Sequence, residues 1–383
     1  MEEAVLTQPA YPAARVAAVR IAAHLERHAA RMPEAAKPFA APDKAAMEAM
    51  IEAAFWASLR REEGFTPRIS LAFVGPEALR FPLIFGRRLP LAAQPLTKLG
   101  PAVERPGIHL GVWRDSAGQF YVWGATRKLP PYSAVVEVVA PGLLVVKHSR
   151  DGESRKFVNI AVFEGDEIKI IDEQSASLPD CPGLLTSLFD SDTRRATSEA
   201  AGMLVRLALS MRRHGHGGSL LIVPSGTDAW RESIVHPMLY GLDPPFTGLS
   251  ELMRRGVAPD ADRSWLDALE SAIDAIAGLT AVDGATIMTD NYEVLAFGAK
   301  ITRRDGSTRV SEVLVTEPIE GSKAEILEPS QLGGTRHLSA SQFARDQPDS
   351  LALVASQDGR FTAFCWSKCE SMVHVHRIEV LLL

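Results

Sequence analysis

Residues 281–298 read AVDGATIMTDNYEVLAFG, and residues 333–340 read GGTRHLSA. The first stretch sets Asp283, Gly284 and Ala285 immediately before an apolar run that begins a strand. A glycine there admits close approach of a ligand to the backbone, and an aspartate can hold a metal or accept a proton. In the second stretch Gly333 and Gly334 precede a hydroxyl, a guanidinium and an imidazole in a row: Thr335, Arg336 and His337. An arginine forks onto phosphate oxygens, and threonine and glycine amides add neutral donors, so this kit suits a polyphosphate. Asp-Gly alone is a common turn and Arg-His alone is often a surface pair. Residue types by themselves take the reading as far as a phosphate site.

Working outward, the 383 residues point to two domains, each long enough to bury its own core. Hydrophobic content of 46% and charged content of 23% are those of an ordinary soluble globular protein. The net charge of −6 argues against a duplex-DNA binder relying on bulk positive charge. No apolar run approaches membrane-spanning length, and the acidic, proline-containing start does not read as a signal peptide. Cys181, Cys365 and Cys369 make no disulfide framework, and no second Cys/His pair accompanies the last two at zinc spacing. A cytoplasmic protein without a membrane partner is expected.

Residues 1–64 are alanine-rich and helical in pattern. One helix is expected over 13–30 and a second from an Asp43 cap to about Arg61, with Met47, Met50, Ile51, Phe55 and Leu59 on one stripe. Residues 65–180 change to short β-type runs broken by Gly and Pro, at 69–74, 82–85, 108–113, 120–123, 133–139, 143–147, 157–163 and 168–171. That density of short strands predicts a β-rich domain, a sandwich or barrel. A Ser-, Pro- and Asp-rich loop at 175–182 marks the boundary.

Residues 190–383 alternate helices and strands. A helix is expected from 192 to 213, a buried strand at 219–223, a second helix at 264–279, and strands at 312–316, 350–355, 361–366 and 373–382. An α/β domain with a mixed central sheet follows. His374 and His376 share one strand face, where a metal pair is one reading and a solvated face the favoured one. His214 and His216 lie among glycines, in a tight turn or a nucleotide-facing loop.

The DGA and GTRH motifs, in this order and in this context, resemble the diadenylate cyclase (DAC) domain family. Its patterns run roughly H-D-G-A, G-T-R-H-R-A-A and a later S-E-E-x-G. Here Val282 precedes the DGA, Leu338 and Ser339 stand where the family has Arg-Ala, and Ser356-Gln357-Asp358-Gly359 approximates the third pattern, one residue shorter. The likeness covers the last half of the chain. It implies a C-terminal DAC-like α/β domain that binds ATP or a related nucleotide, with Mg²⁺ or Mn²⁺ as cofactor.

By the same resemblance, two ATP molecules meet between two facing domains, so self-association is implied. Each 3′-hydroxyl attacks the other nucleotide's α-phosphorus, giving cyclic di-AMP and pyrophosphate. Asp283 and His337 would be the catalytic residues, and Gly284, Ala285, Gly334, Thr335 and Arg336 would hold the nucleotide. Asp283, His337 and Asp358 would ligate the metal. Leu338 removes a guanidinium and Gln357 replaces a carboxylate, and some DAC-like domains are thought to be sensors. Two readings stand: a diadenylate cyclase, favoured slightly by its kept motifs, and a nucleotide-binding sensor without turnover.

Overall fold

The computed structural model describes residues 9–30, 41–149, 157–172, 198–255 and 263–383. Two compact units divide the chain, Met1–Ile171 with Leu383, and Asp172–Leu382. The expected boundary loop at 175–182, with Cys181, and the expected helix start at 192 lie outside the described residues.

The first unit opens with α1 (Pro12–Ala30) and α2 (Lys44–Ser58). Asp43 caps α2, its carboxylate accepting the Ala46 N–H at 2.9 Å and satisfying one of the orphan donors of the first turn. The apolar stripe of α2 faces inward, with Met47, Met50 and Ile51 fully buried. The strands then run β1 (Ser70–Phe73), β2 (Leu83–Pro90), β3 (His109–Arg114), β4 (Phe120–Thr126), β5 (Ala134–Ala140), β6 (Leu143–Ser149), β7 (Phe157–Glu164) and β8 (Glu167–Ile170). A third helix, α3 (Ala93–Val103), stands between β2 and β3. It carries Pro95 in its first turn, where the missing N–H costs nothing, and Pro101 in its last, so prolines that read as breakers end up near the two ends.

The strand order is β2-β4-β3-β1-β5-β6-β7-β8. This corrects the expectation of a sandwich or barrel: β2 and β8 are opposite edges of one open sheet. The reason is the parallel pair β1 and β3, which needs a crossover, and β2 with α3 supplies it. One face of the sheet packs against helices instead of a second sheet. Ile21 of α1, Met50 of α2 and Leu96 of α3 share one apolar cluster with Leu71, Leu110 and Val136. The helical start and the β-rich stretch therefore bury a common core.

The second unit runs α4 (Ser198–Arg213), β9 (Gly218–Val223), β10 (Tyr240–Phe246), α5 (Gly248–Arg255), α6 (Arg263–Leu279), β11 (Ala285–Thr289), β12 (Val294–Ala299), β13 (Val313–Thr316), β14 (Glu325–Leu327), α7 (Thr335–Asp346), β15 (Leu351–Ala355), β16 (Phe361–Ser367) and β17 (Met372–Arg377). Its sheet is mixed, in the order β10-β12-β11-β9-β15-β16-β17-β13-β14. Strand β9 is buried on both faces, which is why its sequence is a continuous apolar run. Leu220 and Ile222 pack with Leu207, Met211, Ile273 and Ile276 of α4 and α6. Leu221 and Val223 pack on the other side with Ala340 and Phe343 of α7. The result is a three-layer unit.

Strand β17 is an interior strand, paired with β16 and β13, so the solvated face expected for His374 and His376 is wrong. Both imidazoles are fully buried. Nδ1 of His376 lies 2.8 Å from Thr316 Oγ1, and burial, with His374 adding to it, pushes His376 down to about 3. It is a neutral core residue.

Seven strands of the two sheets follow one plan. Strands β1 to β7 correspond in order and sense to β9, β10, β11, β12, β15, β16 and β17. Each set has a parallel central pair, β1 with β3 and β9 with β11, and antiparallel neighbours elsewhere. The main difference lies after the fourth strand. The first unit passes directly from β4 to β5, whereas the second inserts β13, β14 and α7 between β12 and β15.

Candidate functional site

Sheet register gathers the two motifs. Ser219 of β9 pairs with Ala285 of β11, Gly218 pairs with Ala355 of β15, and Ala285 pairs with Ala299 of β12. The residues one step beyond these pairs are Gly217, Gly284, Ser356 and Lys300, so all four emerge at the same end of the sheet. The start of α7 reaches the same end: a Cβ added at Gly217 would fall 2.9 Å from Arg336 Nη1, 3.2 Å from Ala355 O and 3.3 Å from Gln357 Cγ. Gly217 has φ of +69°, a left-handed conformation that suits glycine, so the turn allows the guanidinium to lie against the backbone.

The 214–218 turn thus borders the site. The His216 N–H donates to His214 Nδ1 at 3.1 Å, which leaves the proton of the neutral ring on Nε2, 3.2 Å from Thr280 Oγ1. Burial lowers the His214 pKa, with the charges of His216 and Arg336 acting in the same direction. A neutral imidazole follows at neutral pH. Gln357 donates to His216 O at 3.3 Å and so joins the third motif to this turn. Residues 356–360 close the β15–β16 hairpin, and Arg212 of α4 fixes it by donating to Gly359 O at 3.1 Å.

Asp283 is strongly exposed, its carboxylate 2.7 Å from Lys300 Nζ, and the same ammonium lies 3.2 Å from Asp283 O. The hydrogen bond and charge of Lys300, with a smaller contribution from Arg336, hold the carboxyl below its usual range. Gly284 has φ of +125°, and a Cβ there would meet Gly298 carbonyl carbon at 2.4 Å. The glycine is required by the close approach of β12. Ala285 is buried as the first residue of β11.

Gly334 is the N-cap of α7 and offers no side-chain cap; the His337 N–H donates to Gly334 O at 3.0 Å, and no side chain caps the N–H groups of Thr335 and Arg336. Thr335 is exposed at the first helical position and Arg336 is half-buried behind it. His337 turns inward: it is 6% exposed, edge-on to Phe364 at 5.9 Å between ring centroids. Burial lowers its pKa against an opposing pull from Asp358. Asp358 pairs with Arg360 at 3.5 Å.

No group of three His, Cys, Asp or Glu side chains among the described residues is placed to hold a metal. Asp283 is engaged by Lys300, Asp358 by Arg360, and His337 is enclosed by core. What the end of the sheet brings together is Arg336, Lys300, the start of α7 and two glycine-lined backbone turns. Sequence reading left the glycine turn at 214–218 open between a tight turn and a nucleotide-facing loop, and it missed Lys300, which acquires its place from strand register rather than from a local motif.

Residues 36–127 match the model of a family described as "Probable sensor domain DACNV". The match lies within the first unit. No curated protein matches it. Among solved structures, a crystal structure described as a hypothetical membrane spanning protein from Bacillus cereus is 16% identical, with a TM-score of 0.26 over 46% of this chain and 63% of that one. The chain therefore spans less than two thirds of that structure. Among the described residues, no helix is long and apolar enough to cross a membrane.

Proposed function

We propose that the second unit binds a nucleotide through its phosphates and acts as a DAC-like sensor without turnover. The observation that carries this reading is the convergence of Arg336, the α7 N-terminus and the Gly217 turn at the end of the sheet where Asp283 and Gly284 emerge. Such a site offers a forked guanidinium, helix N–H groups with no side-chain cap and close backbone approach, the elements of phosphate recognition. Cyclisation asks for more: a group that takes the proton of a ribose hydroxyl and cations that track charge on the reacting phosphorus. Asp283 is held by Lys300, and His337 faces Phe364 in the core. Both are committed elsewhere. The sensor-domain match in the first unit supports the same reading.

The test is incubation of the full chain with radiolabelled ATP and Mn²⁺, separation of products by chromatography, and calorimetric titration with ATP in parallel. Saturable binding with no product is the expected result. Cyclic di-AMP formation would replace the sensor with a diadenylate cyclase, two copies of the second unit then facing one another. If Asp283→Asn abolished that product while sparing metal-free ATP affinity, the carboxylate would be its catalytic group.

A further inference from the structure

We infer that this site grips the phosphate chain of a nucleoside polyphosphate with the protein's own cations, Lys300 and Arg336, and does so without a divalent ion. The inference rests on the nucleotide reading above and adds to it the means of charge neutralisation.

The argument starts from where Lys300 stands. It follows Ala299, whose partner across the sheet is Ala285, so the register sets Lys300 beside Gly284 and Asp283. Its ammonium binds both a carboxylate oxygen and the backbone oxygen of Asp283, at 2.7 and 3.2 Å. A carboxylate oxygen and a backbone carbonyl oxygen are both the kind of donor a hard cation takes. An exposed ion pair of this kind adds little to folding, so its consequence here is positional. The pair sets the Lys300 ammonium beside Asp283 without locking either side chain.

The charge count then favours an anion. Asp283 is neutralised by Lys300, while Arg336 and the α7 N-terminus remain as net positive features at the same end of the sheet. An ammonium has three N–H donors, and Asp283 engages two of them, leaving the third for a phosphate oxygen. Arg336 contributes a planar fork beside a point charge, a division of labour common in phosphate sites. Among the described residues no three His, Cys, Asp or Glu side chains stand together to hold a metal, and a divalent ion approaching Asp283 would meet the Lys300 ammonium on one carboxylate oxygen.

The experiment titrates ATP into the full chain in EDTA and again in Mn²⁺, for wild type and Lys300→Gln. Lys300 is more than half exposed, so the substitution leaves the fold intact. Wild type is expected to bind ATP with similar affinity in both buffers, within about threefold. Lys300→Gln is expected to lose roughly tenfold or more in EDTA, the scale of one hydrogen bond to a charged group, and to regain part of it in Mn²⁺ because Asp283 is released. Wild-type binding that needs Mn²⁺ would overturn the inference and leave the nucleotide site standing. Equal affinity of Lys300→Gln and wild type in EDTA would remove Lys300 from the grip. Failure to bind ATP in either buffer would overturn the nucleotide reading and this inference with it.

Discussion

At the scale of single residues, Arg336 joins the two motifs. Its guanidinium lies against Gly217, and its charge is felt at Asp283, His214 and His337. If it forks onto a phosphate, Arg336→Ala should weaken ATP binding by about 1.5–3 kcal/mol, the range for hydrogen bonds to charged groups. Titration calorimetry measures this directly, with thermal unfolding as the control for folding. Normal ATP affinity in the variant would show that the guanidinium is only a cover for the turn. His337 illustrates how a neighbour in sequence parts company in space. One step of helix rotates it from the surface toward Phe364, so two adjacent residues of one motif serve different layers.

At the scale of elements, the junction of β11 and β12 depends on glycine. Gly284 has φ of +125°, and its missing Cβ is the space occupied by the Gly298 carbonyl. Gly284→Ala therefore meets both a backbone clash and an unfavourable dihedral, and should destabilise the chain by more than about 1 kcal/mol. Gly278→Ala, in α6 with open space around the new methyl, should instead hold or raise the melting temperature. Equal unfolding temperatures for the two variants would show that the Gly284 approach is not a constraint. Prolines account for two elements absent from the sequence reading. Helix α3 carries Pro95 and Pro101, and edge strand β10 carries Pro244 and Pro245, where one side of the strand makes no ladder bonds.

At the scale of the whole molecule, one sheet plan is used twice but equipped once. The first unit has the seven corresponding strands, yet between β4 and β5 it holds no equivalent of β13, β14 and α7. Arg336 and Lys300 both belong to the segment, from residue 300 onward, that distinguishes the second unit. Calorimetry on the full chain should accordingly give one ATP per chain. A stoichiometry of two would mean that the shared sheet plan itself carries a nucleotide site. The sensor-family match covers 36–127, inside the unit that lacks the insertion.

Alternation and capping signals in the sequence were enough to locate most strands and helices. Asp43 before an apolar stripe, SLLIV as a strand covered on both faces, and GTRH at a helix start are local statements, and local physics decides them. The residue types at this end of the sheet were legible for the same reason. Which strands lie side by side was not, because pairing is a long-range choice that a one-residue slip would change completely. That choice turned a supposed barrel into an open sheet backed by helices, and it buried His374 and His376 in an interior strand. It also set Lys300 on Asp283 across 17 residues of chain and laid Arg336 on Gly217 across more than a hundred. The sequence determined the parts of this site, and only the tertiary structure decided that its acid would be held by a lysine.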